Sequence, residues 1–269
     1  MPASLTPLIS LAQPADWLLA AITLVLAYTV FSLVGFGSAL IASAPLAWVI
    51  PVARVIPLLA LLDCTGSLTR GWRARQFVAK PELLRMLPGL LLGQLLGVFV
   101  LVKLPAVWMA LLLGAFVLFQ GVRGLWEARG ETVPPLRALT TEGLAAAMRD
   151  FFRGLLGGVL GGLFGNGGFI YASYLQRRLD SREAFRATQA VLIAISTAWR
   201  VTLCAMAGLV DGQLLATAVL LLPALMVGTY LGHHIDLRLS RRQLFLVLNL
   251  LLLVSGAALV AKYLGSSMF

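Results

Sequence analysis

Leu87-Pro88-Gly89-Leu90-Leu91-Leu92-Gly93-Gln94-Leu95-Leu96-Gly97 returns 135 residues later as Leu222-Pro223-Ala224-Leu225-Met226-Val227-Gly228-Thr229-Tyr230-Leu231-Gly232. The Leu-Pro pair and the last two glycines keep register, and beyond them Lys103-Leu104 falls on Arg238-Leu239. Upstream, Gly35-Phe36-Gly37 has a glycine-rich counterpart in Gly165-Asn166-Gly167-Gly168, at an offset of 130. A membrane chain made of two copies of one unit commonly builds its central site between the copies.

Composition places this chain in a membrane. It is 60% hydrophobic and 12% charged over 269 residues, with a mean hydropathy of +0.93. A soluble domain carries about 25% charged residues. Apolar stretches suited to a ~30 Å hydrocarbon core recur throughout. Ten apolar elements are expected: 17–36, 38–51, 54–70, 83–102 and 105–126 in the first half, and 149–164, 168–177, 185–206, 212–232 and 241–263 in the second. The polar segment between them, with Pro134-Pro135 and mixed charges, reads as a linker. The expected organisation is a repeat over 1–126, a cytoplasmic linker over 127–148 and a repeat over 149–269. The second element of each half is short and follows a glycine cluster, so it either spans as a short helix or forms half of a re-entrant hairpin. Pro45, Pro51 and Pro57 are expected to interrupt the helical ladder further.

The formal net charge of +10 is distributed as a topology signal. Basic residues cluster in short connections at Arg70–Lys80, Arg123–Arg149, Arg177–Arg186 and Arg238–Arg242, with no basic patch interleaved with aromatics, which excludes a nucleic-acid partner. With the 70–82 connection in the cytoplasm, all 21 basic residues lie inside except Arg54, Lys103, Lys262 and the intrahelical Arg200. Both termini are then periplasmic or extracellular. The basic 70–82 connection corresponds to 207–212, which has Asp211 and no Lys or Arg, while the sparse turn at Lys103 corresponds to the basic Arg238–Arg242 turn. Equivalent loops face opposite sides. The fold class expected is an all-α polytopic membrane protein of two inverted-topology repeats.

Candidate chemistry concentrates in two places. At the glycine clusters the backbone can unwind, and the helix that follows offers unpaired N–H groups and a positive dipole end to an anion. Gly35, Gly37 and Ser38, with Gly165, Asn166, Gly167 and Gly168, are therefore candidate substrate-binding residues; close helix packing is the plainer reading and is preferred for Gly93/Gly97 and Gly228/Gly232. The second place is ionisable: Asp63 lies in the middle of 58–68, and Arg200 lies eight residues before Gly208. An intramembrane charge needs a partner or a cavity. Three readings stand: an Asp63–Arg200 ion pair, Arg200 as the cation for an anionic substrate with Asp63 modulating it or carrying a proton, or Arg200 snorkelling to the interface. Ser67, Gln189, Ser196 and Thr197 supply hydroxyl and amide donors nearby.

Catalysis is not expected, because no nucleophile–base triad, metal-ligand spacing or phosphate loop appears; nor is a metal or cofactor. Cys64 and Cys204 lie inside apolar segments and read as small buried side chains. His233 and His234 read as interfacial, and Trp17, Trp72, Trp108 and Trp126 as a headgroup belt.

These residues together resemble the TauE/SafE sulfite exporter family of prokaryotic membrane permeases. The resemblance is carried by Gly35-Phe36-Gly37, by Gly162-Leu163-Phe164-Gly165-Asn166-Gly167-Gly168, and by Ala207-Gly208-Leu209-Val210-Asp211 with the Leu-Pro-x4-Gly-x3-Gly helix after it. It implies a secondary transporter in the bacterial inner membrane that moves sulfite, sulfonates or related organosulfur anions, generally outward. The sequence departs from the usual family pattern at Ser38-Ala39 and at Asp63. An anion channel and a non-transporting membrane assembly partner remain as alternatives, and a homodimer is compatible with each.

Overall fold

The computed structural model describes residues 13–34, 37–129, 143–234 and 241–266. Among them the chain is all helical, with no strand. In order, the helices are α1 (Pro14–Val34), α2 (Ser38–Leu46), α3 (Val52–Ala74), α4 (Lys80–Lys103), α5 (Ala106–Arg129), α6 (Leu144–Phe164), α7 (Gly168–Leu175), α8 (Arg182–Met206), α9 (Gly212–His234) and α10 (Arg241–Ser266). A 3₁₀ turn, Arg75–Phe77, joins α3 to α4. Five helices (α1, α4, α5, α8 and α9) hold stretches long and apolar enough to cross a bilayer. With the exposed leucines, valines and phenylalanines that line their outer faces, this makes a multi-pass membrane protein.

The ten elements occupy the expected positions, with shifted ends. Helices α5 and α6 reach into the 127–148 segment, to Arg129 and back to Leu144. The short elements are α2, of 9 residues, and α7, of 8. At 1.5 Å per residue these are about 13 Å long, half of what a crossing requires. Pro57 does not break α3, contrary to expectation. It lies in the second turn, where its missing N–H leaves a single carbonyl unpaired. Pro51 ends the preceding turn, and Pro45 sits in the last turn of α2.

Packing follows the glycines. Along α4, Gly89, Gly93 and Gly97 face the backbone of α6 at Phe151, Leu155 and Val159, so the two helices run in the same direction. Gly154, Gly158 and Gly162 of α6 answer with Met86, Leu90 and Gln94. Likewise, Gly228 and Gly232 of α9 face Val25 and Thr29 of α1, again in one direction. Helices α5 and α10 are antiparallel, with Gly114 against Val260 and Gly121 against Leu253. So are α3 and α8, with Gly71 against Ala194 and Ser67 against Thr197. Where no Cβ separates two helices, backbones approach closely and dispersion replaces the hydrophobic drive that lipid cannot supply.

At one end of the bundle Arg54, almost fully buried, bonds Asp211 at 2.6 Å and the Leu209 carbonyl at 3.3 Å. Asp211 also caps α9 through the Leu214 N–H at 2.8 Å. At the other end Tyr174 donates to Glu82 at 2.5 Å, and Arg178 holds the buried Asp150 at 2.8 Å, joining α4, α6 and the segment after α7.

Two outcomes are expected. A Cβ at Gly93 would lie 2.1 Å from the Leu155 carbonyl oxygen, whereas one at Gly212 meets nothing within 4 Å. Thermal melts in detergent should show Gly93→Ala destabilised by about 1–3 kcal/mol and Gly212→Ala within about 0.5 kcal/mol of wild type. The Asp211 carboxyl is held below the usual carboxylate range, first by Arg54 and then by the Leu214 N–H. A depressed acid contributes fully at neutral pH and loses that contribution as pH falls through its folded value. Asp211→Asn should therefore melt below wild type at neutral pH, and the two curves should converge on acidification.

Candidate functional site

The two helix breaks meet in the interior. Gly37, at φ 97°, and Gly165, at φ 74°, turn the chain in the left-handed region open to glycine. A Cβ on Gly165 would lie 2.7 Å from Ala39 Cβ and 2.7 Å from Arg200 Nη1. Glycine is needed there twice over, for its dihedral and for the space. The break in α6–α7 thus touches the start of α2 and the guanidinium of α8.

Between them is a cavity of about 20 Å³, enough for a single water-sized group. Its lining includes Gly37, Ser38, Asp63, Gly165, Asn166, Gly167, Gly168, Ser196, Thr197 and Arg200. Those are ten of the residues singled out in the sequence. Gly35 lies outside the described residues. Ser67 and Gln189 are buried but do not line the cavity. Ser67 sits one turn below Asp63, bonding its carbonyl and, at 3.1 Å, the Thr197 hydroxyl. Gln189 is seven residues before Ser196, about 10 Å along α8.

Arg200 is 2% exposed, so snorkelling does not describe it. Its Nη2 pairs with Asp63 Oδ2 at 3.3 Å, and its Nη1 donates to the Gly161 carbonyl at 2.9 Å. Its Nε has no hydrogen-bond partner among the described residues. Asp63 accepts at its other oxygen from Ser38 at 2.7 Å and from Tyr28 at 2.8 Å. Asn166, 1% exposed, has no partner among the described residues at either its amide nitrogen or its oxygen. Such buried orphans are uncommon and call for an occupant or a functional role. Helices α2 and α7 both begin at this cavity, with Ser38 and Gly168 as first residues and the backbone ladder starting at Ile41→Gly37 and Ile170→Gly167. Their opening N–H groups therefore precede the ladder. Two positive helix ends, one guanidinium and one amide converge on a small space, an arrangement that suits an oxyanion.

Sequence reasoning did not pick out Tyr28, Gln94 or Tyr171. Tyr171 lines the cavity, and Gln94 donates to Ser196 at 2.9 Å. Gln94 had a usable signal, being an amide amid leucines and glycines; Tyr28 and Tyr171 had none that separates them from packing aromatics.

Gly37→Ala should cost about 1–2 kcal/mol of stability from backbone strain alone, because no atom lies within 4 Å of its Cβ. Gly165→Ala should cost more in the same melts, since Ala39 and Arg200 must also move. Equal losses would mean that the contact relaxes freely.

No curated protein and no solved structure matches the chain. The family model described as sulfite exporter TauE/SafE matches residues 19–259. That span contains all ten helix positions but the ends of the first and last, and with it the whole cavity. The chain belongs to the TauE/SafE sulfite exporter family of membrane transport proteins.

Proposed function

We propose that this protein is a secondary transporter carrying sulfite, a sulfonate or a related small organosulfur anion across the bacterial inner membrane, outward, by alternating access. The observation that carries this reading is the orphaned, buried Asn166 and Arg200 Nε in a cavity where two helix N-termini meet. Uncompensated donors in a buried site are costly unless a ligand takes them up for part of the cycle. Gly37, Ser38, Gly165, Asn166, Gly167, Gly168, Ser196, Thr197 and Arg200 would form the site, Gly35 would complete the first break, and Ser67 and Gln189 would support α3 and α8 from below.

Residues 1–126 and 149–269 would be inverted repeats joined by a cytoplasmic 127–148 segment, with both termini periplasmic. Supporting this are the opposed charges of equivalent loops and the pairing of α1 with α9 and of α4 with α6, each parallel. A cavity this small cannot admit a pyramidal oxyanion unless α2, α7 or Arg200 gives way, which fits a carrier that opens to each side in turn.

The test is a screen of sulfite, thiosulfate, taurine, isethionate and sulfoacetate by thermal shift and proteoliposome flux. At least one is expected to stabilise the protein and to exchange across the vesicle. Arg200→Gln alone would strand a buried Asp63, so it is paired with Asp63→Asn to hold the fold. The double variant should lose tenfold or more in affinity, in line with about 1.5–3 kcal/mol for a hydrogen bond to a charged group. Wild-type affinity in the double variant would overturn the site. Voltage-dependent currents without counterflow would indicate a channel, and no response to any anion would leave a non-transporting partner.

A further inference from the structure

The transported anion would not enter an unoccupied set of donors. Asp63 already holds part of it: Tyr28 of α1 and Ser38 of α2 bond Oδ1 at 2.8 and 2.7 Å, and Arg200 of α8 faces Oδ2 at 3.3 Å. Ser38 is also the first residue of the half-helix whose N-terminus opens on the cavity. The chain's own carboxylate thus sits where an oxyanion would be recognised, and it competes with the substrate for the same guanidinium.

The charge balance follows from the lining. Among its residues only Asp63 and Arg200 carry charge, so with both ionised the site is neutral. A monoanion entering beside them adds a full negative charge that only the partial charges of two short half-helix ends offset, in a buried space whose apolar walls are Phe31 and Ile193. A buried net charge of that kind is strongly disfavoured. Among the described residues no second cation lines the cavity. Arg54, nine residues earlier on α3 and about 13 Å along its axis, is engaged with Asp211. Around Asp63 the titratable or charged neighbours among the described residues are Tyr28 from α1, Arg200 from α8 and Cys64 next to it on α3, with the Tyr171 phenol of α7 lining the same cavity. Helices α5 and α9 contribute apolar core residues such as Val117 and Leu221.

Resting on the anion-transport reading above, we propose that Asp63 is the proton-binding group of a one-to-one proton–monoanion symport. A proton taken from water on the entry side forms an O–H bond on the Asp63 carboxyl. That removes its charge and frees Arg200 Nη2, and the anion takes the guanidinium together with Asn166. On the far side the anion leaves, the O–H bond breaks to water, and Asp63 closes again on Arg200. Loaded and empty forms are both neutral, so either can reorient. The membrane potential then has no hold on the cycle. Net direction follows the product of the anion and proton gradients, and a cell exports only while its internal anion exceeds the opposing pH gradient.

The experiment uses the full-length protein in proteoliposomes with isethionate, whose sulfonate stays ionised from about pH 5 to about pH 8, so that any titration belongs to the protein. Expected are accumulation of about tenfold per imposed pH unit, no response to a potassium diffusion potential, and one proton entering per isethionate. Asp63→Asn should bind isethionate independently of pH, move no protons and respond to voltage. Because that variant can fail to fold, Tyr28→Phe gives a second measurement. Removing a donor from the carboxylate favours its protonated form, so the midpoint of isethionate binding should move to higher pH, with uptake retained at acid pH. Isethionate flux that is independent of pH and carries no protons, or a Tyr28→Phe midpoint that is unmoved or lowered, overturns the proton role and leaves anion transport standing. If isethionate is inert while sulfite moves, the same readings are taken with sulfite at about pH 5 to 6, where it is the monoanion. If no anion in the panel binds or moves, the transport reading falls, and this proposal with it.

Discussion

Arg200 and Asp63 face each other in the interior of a membrane bundle, where a lone charge of either sign would be disfavoured. That pairing constrains what surrounds it. α3 and α8 must stay antiparallel and close along the turns that carry the pair, and Ser67 and Thr197 fasten them one turn further on. The chain must also supply the remaining hydrogen bonds, which come from Tyr28, Ser38 and the Gly161 carbonyl. Because these lie on α1, α2 and α6, one ion pair ties together both broken helices and the two central helices between them. Gly165 follows from the same geometry, since any side chain there would meet the guanidinium.

The glycines serve two separate ends. Those on α4, α6 and α9 bring backbones into contact and make a rigid frame. Those at residues 37 and 165 to 168 end one helix and begin another inside the protein, leaving polar backbone at a depth where only a cavity can accept it. The frame holds the breaks in place, and the breaks make the cavity. An arrangement of this kind can bind a small anion with few side chains, because much of the positive potential comes from helix ends.

Much of this was legible in the chain. Hydropathy located the ten helices of the described residues, because in lipid every backbone bond must be made within the helix and apolar runs mark the segments that lipid or core accepts. Asp63 and Arg200 stood out because charges are rare in such stretches. Their meeting was one of three readings, and separating it from the others required the distance and the burial. Tyr28 and Tyr171 had no such mark: each is a residue that packing uses freely, and nothing in its neighbours along the chain signals its partner. The helical ladder breaks between Pro45 and Pro51, as their rings require, but runs through Pro57. Pro57 falls early enough in α3 that the loss of one bond leaves the helix whole.

By itself the sequence determined the membrane class, the order of the helices, the two glycine breaks and the presence of Asp63 and Arg200 within apolar stretches. Those properties depend on composition and on intervals along the chain, which a linear reading records directly. Only the tertiary structure decided that the breaks face each other, that Asp63 and not a solvent path satisfies Arg200, and that Asn166 is left without a partner beside them. These are contacts between residues more than a hundred positions apart. They are set by how glycine faces let helices approach, which no local pattern encodes.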